Sequence, residues 1–344
     1  MHLLPGQGLV AYDQMEKRIV VTDGPGKPLR MVGRRGEGPG EFLSVSALAV
    51  RGDSLVVTDG GQRRASTFSL STGRLIGTTS IPADVTWRSA LVQPLALLAG
   101  GCWTGVTSRG VRRPGNPRIP WIVTRTVLRV RPGSAGLQSD SLISQGDDGQ
   151  SIVPFGEMAA NRVPSVVATS GRTLVAPDGN AIATVTPVVG PRSGIAIRWW
   201  ASACGTPSDS VFVPMAREEM TAERARELYR RMLGPRQRTQ ATLPDAVDDA
   251  MDQTVREGGK LYEPLFAGAF FGADGAVWIE VEGSMNLADH GRPRIWKRIG
   301  PRGVIGGPVT VPRNIRLYAA DTSRALGWRT GYDGASVVEL GWEP

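Results

Sequence analysis

Short apolar runs, each closed by a turn bearing Gly or Asp, recur along the chain. Arg18–Gly24 reads RIVVTDG and Ser54–Gly60 reads SLVVTDG, the same word 36 residues apart. β-Branched side chains favour the pleated strand, and an Asp-Gly pair accepts the positive φ of a tight hairpin. The rhythm continues in Leu95–Val106, hinged at Gly100-Gly101, and in Arg172–Pro187, hinged at Asp178-Gly179. Ala269–Val281 is hinged at Asp274-Gly275, and Ile315–Leu340 turns near Asp321 and Asp333-Gly334. The first hairpin turn of each unit falls near positions 16, 52, 100, 172, 274 and 322.

One stretch departs from this rhythm. Glu218–Leu233 places Met220, Leu228 and Met232 near helical spacing, with Thr221 as an N-cap. A second helix over 244–257 opens at Pro244 and Asp245, repeats Val247, Met251 and Val255, and stops at Gly258-Gly259. The apolar stripe is narrow, which puts the pair on the rim of the fold. With this insertion set aside, the repeat length and the several short strands in each unit are the mark of a β-propeller. The reading is a single all-β domain over 1–344, six-bladed, with a helical insertion near 216–258. Residues 107–120 read as a Pro/Arg/Gly loop between strands.

Gly33–Phe42 reads GRRGEGPGEF. Glycines at 33, 36, 38 and 40 permit a chain reversal that β-branched residues could not make. The run lacks the Gly-Lys-Ser/Thr ending of a phosphate-binding loop. After it come Leu48-Ala49-Val50, Gly52-Asp53, Leu55–Asp59 and Ala65–Leu75. This order resembles the inter-blade signature of NHL-like and bacterial six-bladed propellers, and Tyr262–Ile279 resembles a late blade of that family. The resemblance is close over about 8–80 and 262–340 and rhythmic between. It implies that the GPGEF turn leaves one blade and that Phe42 plugs the space before the next. It also implies an incomplete first blade: strands fit at 8–13, 18–23 and 28–33, with little chain before Gly8. Relatives of this kind are often exported. The expected compartment is therefore the periplasm or cell surface if a signal lies upstream, and the cytoplasm for the sequence as it stands.

Composition adds limits. The net charge is +8, carried almost wholly by Arg, and pairs such as Arg34-Arg35, Arg63-Arg64 and Arg230-Arg231 are spread along the chain. Without a dense basic block, nucleic acid is an unlikely partner. No run is long enough and apolar enough for a transmembrane helix. Cys102 and Cys204 lack CxxC spacing, and His2 and His290 are the only histidines, which argues against a zinc site. The two cysteines either pair, in an exported protein, or remain two buried thiols.

No catalytic constellation stands out. His290 lies in a polar segment beside Asp289. Glu280 and Glu282 point the same way on a strand, and Asp248-Asp249 fall on the second helix. Both acid pairs read as solvated. The nine tryptophans, spread along the units, read as packing between blades. Loops on rigid scaffolds carry function, and Arg63, Arg64, Arg113, Arg118, Asn286, His290 and Arg292 form a cationic loop set. The first reading is a non-enzymatic, monomeric binding module for a protein, an acidic small molecule or a polysaccharide, with no required cofactor. The alternative is a calcium-assisted hydrolase or lyase. Its hard oxygen ligands would come from Asn161, Asn180, Asn286, Asn314, Asp59 or Glu280 around a central channel.

Overall fold

A computed structural model describes residues 2–4, 8–23, 28–112, 121–134, 136–145, 150–155, 159–164, 171–188, 192–216, 219, 221–224, 265–282, 293–331 and 334–341. The first sheet is β1 (His2–Leu3), β2 (Leu9–Asp13), β3 (Arg18–Thr22) and β4 (Pro28–Val32), paired in chain order. The GPGEF turn holds a short parallel pair, β5 (Arg34–Arg35) and β6 (Glu41–Phe42). The second sheet is β7 (Val45–Arg51), β8 (Ser54–Asp59), β9 (Arg64–Ser69) and β10 (Leu75–Ser80). A small hairpin, β11 (Thr86–Trp87) and β12 (Ala90–Leu91), leads to the third sheet. That sheet is built on β13 (Gln93–Leu97), β14 (Trp103–Arg112) and β15 (Trp121–Gly133). β16 (Gly136–Gln145) and β17 (Gln150–Phe155) both pair with β15, and β18 (Ala159–Pro164) pairs with β17.

The fourth sheet is β19 (Arg172–Val175), β20 (Ile182–Val188), β21 (Gly194–Trp200) and β22 (Asp209–Pro214). The fifth is β23 (Gly268–Phe271), β24 (Val277–Glu282), β25 (Arg294–Gly300) and β26 (Gly303–Val311). The sixth is β27 (Ile315–Ala320), β28 (Arg324–Gly331) and β29 (Gly334–Gly341).

Strand alternation explains how the sheets stack. Each sheet presents apolar residues on both faces, and every neighbouring pair of sheets shares a buried cluster. Sheets one and two enclose Val10, Ile19, Phe42, Leu55 and Phe68. Sheets two and three share Ala49, Val56 and Ala65 against Leu97. Sheets three and four share Leu98, Cys102, Ile182 and Trp200. Val185, Ile197, Phe271 and Ile279 join four to five, and Trp278, Trp296, Ile315 and Leu317 join five to six. The circuit closes where Leu3 and Leu9 meet Ala319 and Leu326. Arg324 Nη2 locks this seam by donating to the Leu4 carbonyl at 2.8 Å. The six sheets therefore form a closed ring. Its inner wall is made by first strands: β27, β1, β7 and β13 touch in turn, as do β19, β23 and β27.

Phe42 fills the space between the first two sheets. It is 1% exposed and meets the edge of the Phe68 ring at 5.9 Å. Gly33 makes room for it: its φ is +74°, and a Cβ there would fall 2.1 Å from Phe42 Cε2.

Three expectations change. The first sheet has four strands, because His2–Leu3 supplies an inner strand too short to read from its sequence. The sheet with three strands among the described residues is the sixth. The repeated word does not mark equivalent places, since Arg18–Thr22 is the third strand of its sheet and Ser54–Asp59 the second of its own. Asp23 is accordingly exposed. Asp59 is 1% exposed, and its carboxylate accepts the amides of Leu43 at 2.7 Å, Ser44 at 3.1 Å and Gln62 at 3.0 Å. Part of the loop read at 107–120 is strand, because β14 continues to Arg112.

Most of the insertion at 216–258 lies outside the described residues. At its start Thr221 Oγ1 accepts the Arg224 amide at 3.2 Å, and 222–224 are helical. Cys102 and Cys204 are bonded, with Cα atoms 5.8 Å apart, and join sheets three and four. Arg129 backs this junction: buried itself, it pairs with Asp140 at 2.8 Å and donates to the carbonyls of Ala203 and Gly205.

Candidate functional site

The two ends of the ring differ. At one end first and second strands are joined by tight turns, as at Gly52, Gly179 and Gly275, all with positive φ. Sheets two and four even touch there, where the Val50 amide donates to Pro177 O at 2.8 Å and Arg51 Nε to Asp178 O at 2.7 Å. The connections between second and third strands, and those from one sheet to the next, leave from the opposite end. The strands that flank 113–120, 189–193, 215–267 and 283–293 end there.

A buried charge cluster sits at this end, between sheets five and six. Along β24, Val277 and Ile279 face sheet four, and Trp278 faces sheet six. Alternation puts Glu280 on the same side as Trp278, beyond the apolar layer. Glu280 is 0% exposed. Its Oε1 accepts from Arg294 Nη1, and its Oε2 is buried without a hydrogen-bond partner. Burial raises the Glu280 carboxyl above the usual glutamate range, and this outweighs the pull of Arg294 and Arg316. Arg294 is held by a second bond, from Nε to Arg313 O at 3.0 Å.

Arg316, on the innermost strand β27, is half-buried and makes no ion pair among the described residues. Its guanidinium lies 5.9 Å from the ring of Tyr318, which is 44% exposed. Gly268, opposite Glu280 in the β23–β24 register, lets these groups approach the backbone closely. A Cβ on Gly268 would lie 3.1 Å from Glu280 Oε2, 3.5 Å from Trp296 Cη2 and 3.6 Å from Arg316 Nη2. The cluster thus joins a half-buried cation with no ion pair among the described residues, a buried carboxylate oxygen without a hydrogen-bond partner and an aromatic face.

Of the cationic loop set, Arg63 and Arg64 are described, and both guanidiniums bond backbone carbonyls. Arg63 Nη1 reaches Val92 O at 2.9 Å and Nη2 reaches Pro82 O. Arg64 Nη1 donates to Glu37 O at 2.9 Å, while Nη2 donates to Gly38 O and to Glu41 O at 3.0 Å. Arg113, Arg118, Asn286, His290 and Arg292 lie outside the described residues. The last three belong to the connection whose flanking strand residues are Glu282 and Arg294. Asp248-Asp249 also lie outside.

Of the acids and amides named for calcium, Asn286 lies outside the described residues. Asp59 and Glu280 stand in sheets two and five, Asn180 bonds Asp178 in a turn at the other end, and Asn314 is exposed. Among the described residues no three His, Cys, Asp or Glu side chains cluster. Trp199, Trp200, Trp278 and Trp296 are buried between sheets, and Trp103 is buried against the segment that leads into the third sheet. The sequence reading took Glu280 as one of a solvated acid pair, whereas it is fully buried because its strand lies between two sheets, and it missed Arg294, from the next strand, and Arg316, which only ring closure brings to it. An acid ending one strand and an arginine opening the next was the available signal.

Residues 6–94 match the family described as DUF5128, 6-bladed beta-propeller. That match joins a closed ring of six sheets. The chain is a six-bladed β-propeller. No curated protein matches it. Among solved structures, the propeller is similar to hydrazine synthase of Kuenenia stuttgartiensis, at 12% identity and TM-score 0.40, covering 98% of this chain and 94% of that one. It is similar to the Cps50 (Swd1) β-propeller domain of Myceliophteria thermophila, at 12% identity and TM-score 0.34, covering 97% and 96%. It is also similar to a putative exported protein of Bacteroides fragilis, at 10% identity and TM-score 0.27, covering 62% and 72%. Similarity at this level carries nothing about function to the propeller.

Proposed function

We propose that the chain is a non-enzymatic binding propeller whose loop-bearing end receives an acidic partner. The observation that carries this reading is Arg316, a cation on the inner wall with no ion pair among the described residues, beside an exposed tyrosine. A guanidinium next to an aromatic face suits a carboxylate-bearing group, which it binds through a planar pair of donors. Arg294 adds a second cation, half used by Glu280. Strands at this end flank the segments that contain Arg113, Arg118 and Arg292, cations that favour the same class of partner. The disulfide supports an oxidising compartment, so the propeller acts in the periplasm or at the cell surface.

The test is binding to immobilised polygalacturonate and to its fully methyl-esterified form, which has the same backbone without the charge. The propeller binds the acid form, and added salt weakens the binding. Equal retention on both surfaces, or on neither, overturns the reading.

A further inference from the structure

We infer that the outer edge of the sixth blade docks a second copy of this chain, paired antiparallel through β29 about a twofold axis that sets Val337 opposite its own counterpart. The inference is independent of the acid-binding reading and departs from the monomer expected of the sequence.

Three observations carry it. The first is an open edge. β29 pairs with β28 at every residue from Gly334 to Gly341 without a register shift, and its other side has no strand partner among the described residues. Such an edge templates pairing with another chain unless proline, positive charge or a bulge blocks it. The edge strand that ends each of the other sheets carries a block: Pro28 in β4, Pro164 in β18, Pro214 in β22, Pro308 in β26, and a register shift between Leu75 and Gly77 in β10. β29 has no proline, no Lys or Arg and no shift.

The second is an exposed apolar pair at that edge. Trp328 and Val337 are direct partners across β28 and β29 and are 39% and 40% exposed. Trp328 shares its face with Leu326, which packs against Leu9 of sheet one. Met31, 51% exposed, looks back from sheet one: it lies in register with Val20 and Ala11, and Ala11 packs on the same cluster. Exposed apolar side chains thus line both blades beside the place that a fourth strand of blade six would take.

The third is that β29 suits its own edge. Directly opposite residues of an antiparallel pair share a face. A pair centred on Val337 therefore aligns Trp328 and Val337 with Val337 and Trp328 of the second copy in one apolar row across the joined sheet. Glu339, the only charge on β29, falls opposite Ala335 and keeps its ion pair with Arg324 at 3.4 Å. No like charges meet. A twofold contact is closed, so association stops at the dimer. It also turns the second ring end for end, and the two loop-bearing ends face opposite ways.

The test is sedimentation velocity over a concentration series for wild type, Val337→Lys, Val337→Glu and Ile76→Lys. Ile76 is exposed on β10 of the second blade and serves as the control. Wild type and Ile76→Lys are expected to form dimers. Val337→Lys and Val337→Glu each oppose like charges at the axis and are expected to lose about tenfold or more in dimer affinity. Mixed in equal amounts, the two variants are expected to recover it, because the axis sets residue 337 opposite itself; recovery also shows that both are folded. Hydrogen exchange of the wild-type amides at 334–341 is expected to slow as protein concentration rises. A wild type that stays monomeric overturns the inference, whether its β29 amides exchange fast or are covered by another segment. So does a dimer that Val337→Lys leaves intact, or a mixture that stays monomeric.

Discussion

The carboxylate of Glu280 accepts from the Arg294 guanidinium at the loop-bearing end of the fifth blade, with the acid wholly buried and the cation almost so. Burial wins over attraction at this pair, so the acid holds its proton above the usual glutamate range. A folded-state pKa raised in this way contributes stability that is fully present below the unfolded pKa. That stability is lost as pH rises through the folded value.

Arg294→Met sharpens that dependence. Without its partner the buried carboxylate is uncompensated, which costs about 3–5 kcal/mol where it is charged. Protonation removes most of the penalty. Urea midpoints of wild type and variant are expected to lie far apart at neutral pH and to converge as pH falls into the glutamate range. A gap independent of pH contradicts the assignment.

The Cys102–Cys204 bond closes a loop of sequence separation 102 between the third and fourth blades. Chain entropy assigns a loop of that size about 4–5 kcal/mol. Reductant is expected to lower the wild-type melting temperature to that of the Cys102→Ala/Cys204→Ala variant, and to leave the variant unmoved. A wild-type melting temperature indifferent to reductant rules out a stabilising bond.

Gly33→Ala strains the GPGEF turn twice. The left-handed backbone costs about 1–2 kcal/mol and the clash with Phe42 adds about 1–3 kcal/mol. Gly52→Ala shares the positive φ but meets nothing within 4 Å, so only the backbone cost applies. Denaturant midpoints should rank wild type above Gly52→Ala and Gly52→Ala above Gly33→Ala; the reverse order of the variants would count against Phe42 as the plug.

Arg64→Ala separates a structural from a binding role. Loss of its bonds to Glu37, Gly38 and Glu41 carbonyls is expected to destabilise the turn by about 1–3 kcal/mol. Binding of the acid polymer by the folded fraction stays close to wild type. Loss of binding with unchanged stability would place Arg64 on the partner surface instead.

Strand-scale features were legible because alternation and turn chemistry are local. The strands expected at 8–13, 18–23 and 28–33 are β2, β3 and β4, and the hinges at Gly100-Gly101, Asp178-Gly179 and Asp274-Gly275 each join a first strand to a second. The phase of the repeat was not legible. VVTD is good strand sequence in the third position and in the second, and it is Asp59 whose buried carboxylate accepts three backbone amides. β1 escaped because two residues carry no period. The site was half legible: Glu280 ends a recognisable strand, but Arg316 reaches it from another blade, and no local pattern encodes that approach.

The most direct test of the acid-binding reading is the affinity of wild type and Arg316→Gln for polygalacturonate, with circular dichroism to establish that both are folded. The account predicts that Arg316→Gln loses about tenfold or more in affinity and most of the salt dependence. A folded Arg316→Gln protein that binds as tightly as wild type, with the same salt dependence, contradicts it.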